Sequence, residues 1–101
     1  METTITQQDN ATVLTLIGRL DTPSAQEVNK AITPLVEHPA GTLIIDCSQM
    51  SYISSSGLRI FLTLRKAAAA ANGRVVVRGI SPDIRNVFMM TGFLNLFEIE
   101  G

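Results

Sequence analysis

The feature that most limits the fold is a change of hydrophobic period across three consecutive serines and a glycine, Ser54-Ser55-Ser56-Gly57. Leu43-Ile44-Ile45 lies upstream and reads as a buried strand over residues 43–46. Leu58-Arg59-Ile60-Phe61-Leu62-Thr63-Leu64 follows and reads as a helix from about Ser56 to Asn72. The residues between form a serine loop. A serine at a helix start accepts a bond from an otherwise unpaired backbone N–H. The chain is therefore expected to hold a serine hydroxyl at the positive end of a helix, on the carboxyl edge of a sheet. A phosphate is well placed there.

The rest of the chain builds around that unit. Thr3 to Gln7 suggests an edge strand, Gln8-Asp9-Asn10 a turn and Val13 to Ile17 a buried strand, together an antiparallel hairpin. Asp21 or Thr22 caps a first helix, with Pro23 in its first turn and Pro39 ending it. Ala25, Val28, Ile32, Leu35 and Val36 give that helix one apolar face. In the second helix Ile60, Phe61, Leu64, Ala67, Ala68 and Ala71 face the core, Leu58 and Leu62 lie off that face, and Asn72-Gly73 supplies a left-handed stop. Arg74 to Arg78 is a strand. Ser81 and Pro82 open a third helix with Ile84, Val87, Phe88 and Thr91 inward, and Gly92 breaks it. Leu96 to Ile99 is a last short strand. The order β-β-α-β-α-β-α-β predicts a single α/β domain over residues 1–101, its sheet mostly parallel with an antiparallel N-terminal edge strand.

Composition narrows the function. A hydrophobic fraction of 46% supports a real core at 101 residues. The net charge is −1 with both signs interleaved, so nothing argues for nucleic acid. The lone cysteine, Cys47, admits no intrachain disulfide and reads as a buried inert thiol. The first residues lack the pattern of a signal peptide, and no apolar run spans a bilayer. These features lead us to expect a soluble cytoplasmic domain with no membrane insertion.

Catalysis finds little support. His38 is the only histidine and sits beside Pro39 at a helix end, the serines lack a G-x-S-x-G elbow, and no Cys/His cluster suggests zinc. Neither glycine-rich phosphate-binding signature is present, which weakens a nucleotide-binding reading. We expect no enzyme activity and no cofactor.

Several separated segments match one pattern. Gly18-Arg19-Leu20-Asp21-Thr22-Pro23-Ser24-Ala25 resembles the motif after the second strand of STAS domains. Leu43 to Ser48, followed by Tyr52-Ile53-Ser54-Ser55-Ser56-Gly57-Leu58-Arg59, resembles their phosphorylation loop. Gly79-Ile80-Ser81-Pro82 and Thr91-Gly92-Phe93 resemble the turn into their third helix and that helix's end. The resemblance covers almost the whole chain and is nearest to free-standing bacterial anti-sigma factor antagonists. It implies a partner that is both anti-sigma factor and serine kinase, and a metal-dependent serine phosphatase that resets the modified protein. The family's loop reads Asp-Ser-Ser/Thr-Gly-Leu. Here Ser54 stands at the aspartate position, Ser55 at the phosphate acceptor, and Ser56 just before Gly57. Ser56 and Ser54 are the alternative acceptors. The implied partner surface comprises Asp21, Ser54, Ser55, Ser56, Gly57, Leu58, Arg59 and Leu62. The resemblance equally permits an adaptor role without phosphorylation, as a STAS subunit of a transport or signalling complex.

Taken without the resemblance, the same residues have plainer roles. The serines and Asp21 are helix caps, with Ser56 a cap of the second helix. Arg59 points to solvent, Leu58 and Leu62 are packing residues, and Met89 and Met90, partly outside the core face, pack at a helix end.

Overall fold

A computed structural model of the chain describes residues 1–39 and 41–100. The N-terminal hairpin comes from β1 (Glu2–Gln8) and β2 (Ala11–Leu20), paired antiparallel. Its turn is Asp9-Asn10, both at positive φ (45° and 69°). That twist suits a two-residue hairpin, and Asp and Asn tolerate it better than most residues.

Helices α1 (Thr22–Ala31) and α2 (Thr33–Glu37) then lead to β3 (Thr42–Ile53). Helix α3 (Ser55–Ala70), β4 (Arg74–Arg78) and α4 (Pro82–Thr91) follow, and a 3₁₀ turn (Phe93–Asn95) precedes β5 (Glu98–Glu100). The five strands lie in sequence order, with β2 to β5 parallel. Every crossover steps to the next strand in the same direction, so right-handed connections place the helices on one face. Leu14, Leu16, Ile45 and Val77 of the sheet meet Val28, Phe61, Leu64 and Phe88 of the helices, and Ile32 between α1 and α2, in one core. The other face carries a row in register, Thr4, Thr15, Asp46, Arg78 and Glu100, with an Arg78–Asp46 ion pair at 3.4 Å.

The predicted fold class holds, and the departures have local causes. The apolar face expected of one first helix is broken at Ile32, because Pro34 has no N–H to carry the helix on. Val36 is consequently exposed rather than inward. Strand β3 runs on to Ile53, not 46. It holds two extra residues against β2, since Thr15 to Ile17 faces Asp46 to Gln49, and Gly18 to Arg19 faces Met50 to Tyr52. These bulges turn the inward side chains to a spacing of three, Cys47, Met50 and Ile53, which conceals a strand from period-two reading. In α3, Ala71 is exposed and Asn72 alone, at φ 58°, makes the left-handed stop. In α4, Thr91 is exposed, and Met89 and Met90 are 60% and 83% exposed, because Phe88 and Ile84 carry the packing. The last strand is displaced by the 3₁₀ turn that buries Phe93, leaving Leu96 outside it.

Four phenylalanines clamp α3, α4 and the 3₁₀ turn together. Phe88 meets Phe61 edge-on at 5.7 Å, Phe93 at 5.5 Å and Phe97 at 6.5 Å between ring centres. A Phe88→Ala variant is expected to lose about 3–5 kcal/mol, a large share of a small domain's stability. In urea unfolding its midpoint falls while the slope stays unchanged.

Candidate functional site

The site is set by the register of β2 against β3. Leu20 and Ile53 are paired at the carboxyl ends of the two parallel strands. One residue follows each strand before a helix begins, Asp21 before α1 and Ser54 before α3. The Ser54 N–H donates to the Leu20 carbonyl at 2.9 Å, extending the pairing by one step. Two helix N-termini are thereby placed side by side.

Each is capped by its own residue. The Asp21 carboxylate accepts from the Ser24 N–H at 3.1 Å, and the Ser24 hydroxyl accepts from the Asp21 N–H at 2.9 Å, a reciprocal capping box. The Ser54 hydroxyl accepts from the Gly57 N–H at 3.2 Å. The capping serine is therefore Ser54, not Ser56, and α3 begins one residue earlier than its sequence suggests. Ser54 is extended (φ −95°, ψ 173°), as a cap requires, whereas Ser55 and Ser56 are already helical.

The three hydroxyls consequently differ. Ser54 is engaged in the cap. Ser56 is half-buried, with its Oγ 3.5 Å from Thr22 Oγ1 across the two helix starts. Ser55 is exposed at the first helical position. No acidic residue occupies the first turn of α3, and Arg59 is exposed one turn further on. Gly57, expected in the contact surface, is buried instead. A Cβ there would lie 2.7 Å from Leu20 Cγ and 2.9 Å from Ile53 Cγ1, so only glycine lets α3 start this close to the sheet. Leu58 and Leu62 are half-buried and packed against the core. The structure thus groups Asp21, Ser54, Ser55, Ser56 and Arg59 on one edge.

Neighbours that sequence reading left out complete the edge. Thr22 faces Ser56, and the Arg19 guanidinium stacks over the exposed Tyr52 ring at 4.3 Å. The sequence by itself presents Thr22 only as a candidate cap. Arg19 and Tyr52 lie far apart in sequence and are brought together by the bulged pairing of β2 with β3.

Charge at this edge, and on the sheet behind it, is ordered by hydrogen bonds. The Ser24 hydroxyl and backbone N–H, with Arg19 nearby, hold the Asp21 carboxyl below its ordinary range. For Asp46 burial acts upward, but the Ser48 hydroxyl and N–H, with Arg78, outweigh it and hold that carboxyl low as well. Burial and the neighbouring Asp46 push the Cys47 thiol up to about 12, which keeps it an unreactive thiol at neutral pH. His38 ends α2, so the length of β3 lies between it and the serines. Among the described residues no group of three His, Cys, Asp or Glu side chains could hold a metal, and no helix is long and apolar enough to cross a membrane.

The fold that carries this sheet edge, with its paired helix starts and exposed serine, is that of a known class of α/β domain. The chain belongs to the STAS domain family, whose profile matches residues 2–101. It is 27% identical to BtrV of Bordetella bronchiseptica, provisionally named an anti-sigma factor antagonist, over 98% of this chain and 85% of that one. It is 26% identical to the anti-sigma-B factor antagonist of Staphylococcus aureus, over 94% and 88% of the two chains. Its fold is similar to that of the phosphorylated form of SpoIIAA, the Bacillus cell fate determinant. That likeness has a TM-score of 0.75 at 22% identity, covering 99% of this chain and 92% of that one.

Two predictions come from the caps. Ser54→Ala is expected to lower stability by about 1 kcal/mol in urea unfolding, and Ser54→Asp to restore it. The second concerns acid. Asp21 and Asp46 both have folded pKa values below the ordinary 3.8. Their stabilisation is therefore full above 3.8 and is lost as pH falls through the lowered folded values. Asp21→Asn keeps a capping side chain but removes that titration. Its stability is expected to fall less steeply with acid than the wild type's, as followed by urea midpoints across the acid range.

Proposed function

We propose that this protein is a cytoplasmic anti-sigma factor antagonist controlled by phosphorylation of Ser55. In its unmodified form it binds a histidine-kinase-like ATPase that is both anti-sigma factor and serine kinase, and so frees the sigma factor. The kinase transfers phosphate to Ser55, the complex parts, and a metal-dependent serine phosphatase restores the hydroxyl. The protein is substrate and ligand in this cycle and performs no catalysis itself.

The observation that carries this reading is the difference among the serines: Ser55 alone combines exposure with a hydroxyl outside the cap and outside the Thr22 contact. The contact surface is the edge formed by Asp21, Ser54, Ser55, Ser56 and Arg59, flanked by the half-buried Leu58 and Leu62. A phosphoserine carries roughly −1.5 to −2 charges at neutral pH. At the start of α3 that charge meets free N–H groups and no acid in the first turn, so it is tolerated with a gain of about 0.3–1 kcal/mol. Ser54 leaves the cap neutral where the family carries an aspartate, which removes one like-charge neighbour. The same phosphate pressed into a partner's surface has to be desolvated, and about 1.4 kcal/mol of that penalty already weakens binding tenfold. The domain itself need not refold.

The test incubates the protein with its cognate anti-sigma factor kinase and ATP and locates the phosphate by mass spectrometry. Phosphate is expected on Ser55. Ser55→Ala should bind the kinase and accept none, and Ser55→Asp should bind at least about tenfold more weakly. Equal binding of Ser55→Asp and wild type overturns the switch. Binding with no phosphate on any serine favours the adaptor role.

A further inference from the structure

The serine edge continues along α3 as a surface with a charge of its own. Helix α3 carries Arg59, Arg65 and Lys66 and no acidic residue, in a chain of net charge −1. Arg65 is engaged elsewhere, its Nε donating to the Leu96 carbonyl at 2.9 Å. The ion pairs among the described residues are Arg74–Glu98 and Arg78–Asp46, so neither Arg59 nor Lys66 is paired within them. Ser55, Arg59, Thr63, Lys66 and Ala70 are all exposed and recur at helical spacing, so they form one stripe beginning at Ser55.

A groove follows this stripe. One part, of about 340 Å³, lies between α1 and α3, with Gln26 and Asn29 on one wall and Arg59 and Thr63 on the other. A second part, of about 560 Å³, lies between α2 and α3, lined by Val36, Lys66 and Ala70 among others, and Thr63 is common to both. Among the described residues, no carboxylate lines either part. The groove is thus polar and cationic near the serines and apolar at its far end, where Val36 is left exposed.

We infer that this groove is a second contact surface, which receives an acidic, amphipathic segment of the partner protein. The partner's carboxylates lie opposite Arg59 and Lys66, and its apolar side chains cover Val36 and Ala70. The identity of the partner rests on the function proposed above; the complementary chemistry rests on α3 and the exposed Val36 of α2. Phosphorylation acts on the same stripe. Ser55 precedes Arg59 by one turn, with the anion on the N-terminal side of the cation, which is the favourable order on a helix. Its roughly −2 charge offsets Arg59, the nearer of the two cations that the partner reads, while Lys66 lies about three turns along the helix from Ser55. The modified protein therefore loses part of its electrostatic attraction as well as its fit.

The test measures affinity for the cognate anti-sigma factor kinase at about 0.05 M and 0.5 M salt, conditions of weak and strong screening. Four proteins are compared: wild type, Ser55→Ala, Lys66→Glu and the double variant Arg59→Glu/Lys66→Glu. Both altered side chains are exposed, and matching urea midpoints verify folding. Wild type and Ser55→Ala are expected to bind alike and to weaken with salt. The double variant should bind at least about tenfold more weakly at low salt, with the gap narrowing at high salt. Lys66→Glu, distant from the serines, should show the same trend at smaller size. If the kinase binds wild type but the charge-reversed variants match it in affinity and salt dependence, the groove is not the contact surface, and the proposed function is untouched. If the kinase binds neither wild type nor Ser55→Ala, the proposed function fails, and this surface fails with it.

Discussion

The parallel pairing of β2 with β3, carried in register to Leu20 and Ile53, is the constraint on which the rest depends. Because each strand is followed by one capping residue and then a helix, the register of the strands becomes the register of the helix starts. Asp21 and Ser54 become neighbours for that reason alone. The buried Gly57 keeps them so, since any larger residue pushes α3 away from Leu20 and Ile53. A one-residue slip in this pairing turns inward side chains outward and separates the two caps together.

This arrangement would let a rigid domain carry the proposed switch. The capping hydrogen bonds use Ser54 and Asp21, and the helix contact uses Ser56 and Thr22. Ser55 is left over by the geometry: it is held in a helical conformation by the backbone, with its side chain in solvent. Charge added there falls on unpaired N–H groups of α3 and disturbs none of the packing beneath. In the proposed switch, stability and signalling fall to adjacent residues of one short segment. The groove between α3 and the first two helices extends the proposed contact surface away from that segment.

Much of this was legible in the chain. Strand and helix order followed from hydrophobic period, and the mixed sheet followed from the order. Ser81-Pro82 and Gly92 marked the ends of α4 correctly, because caps and left-handed stops act through their own backbone and immediate neighbours. The failures came where the local rule was overridden. The bulges of β3 gave it a spacing of three that no strand template contains. Pro34 divided a face that periodicity alone joins. Met89 and Met90, expected partly off the core face, pack even less than expected, because the phenylalanine cluster fills that space first.

The sequence by itself determined the elements, the fold class and the presence of a serine-rich helix start, because propensity, capping chemistry and hydrophobic period are local. Only the tertiary structure decided which serine caps, which is half-buried and which stands free. Those differences arise from the position of α3 against Leu20, Ile53 and Thr22, residues brought to the serines by sheet register and helix packing rather than by the order of the chain.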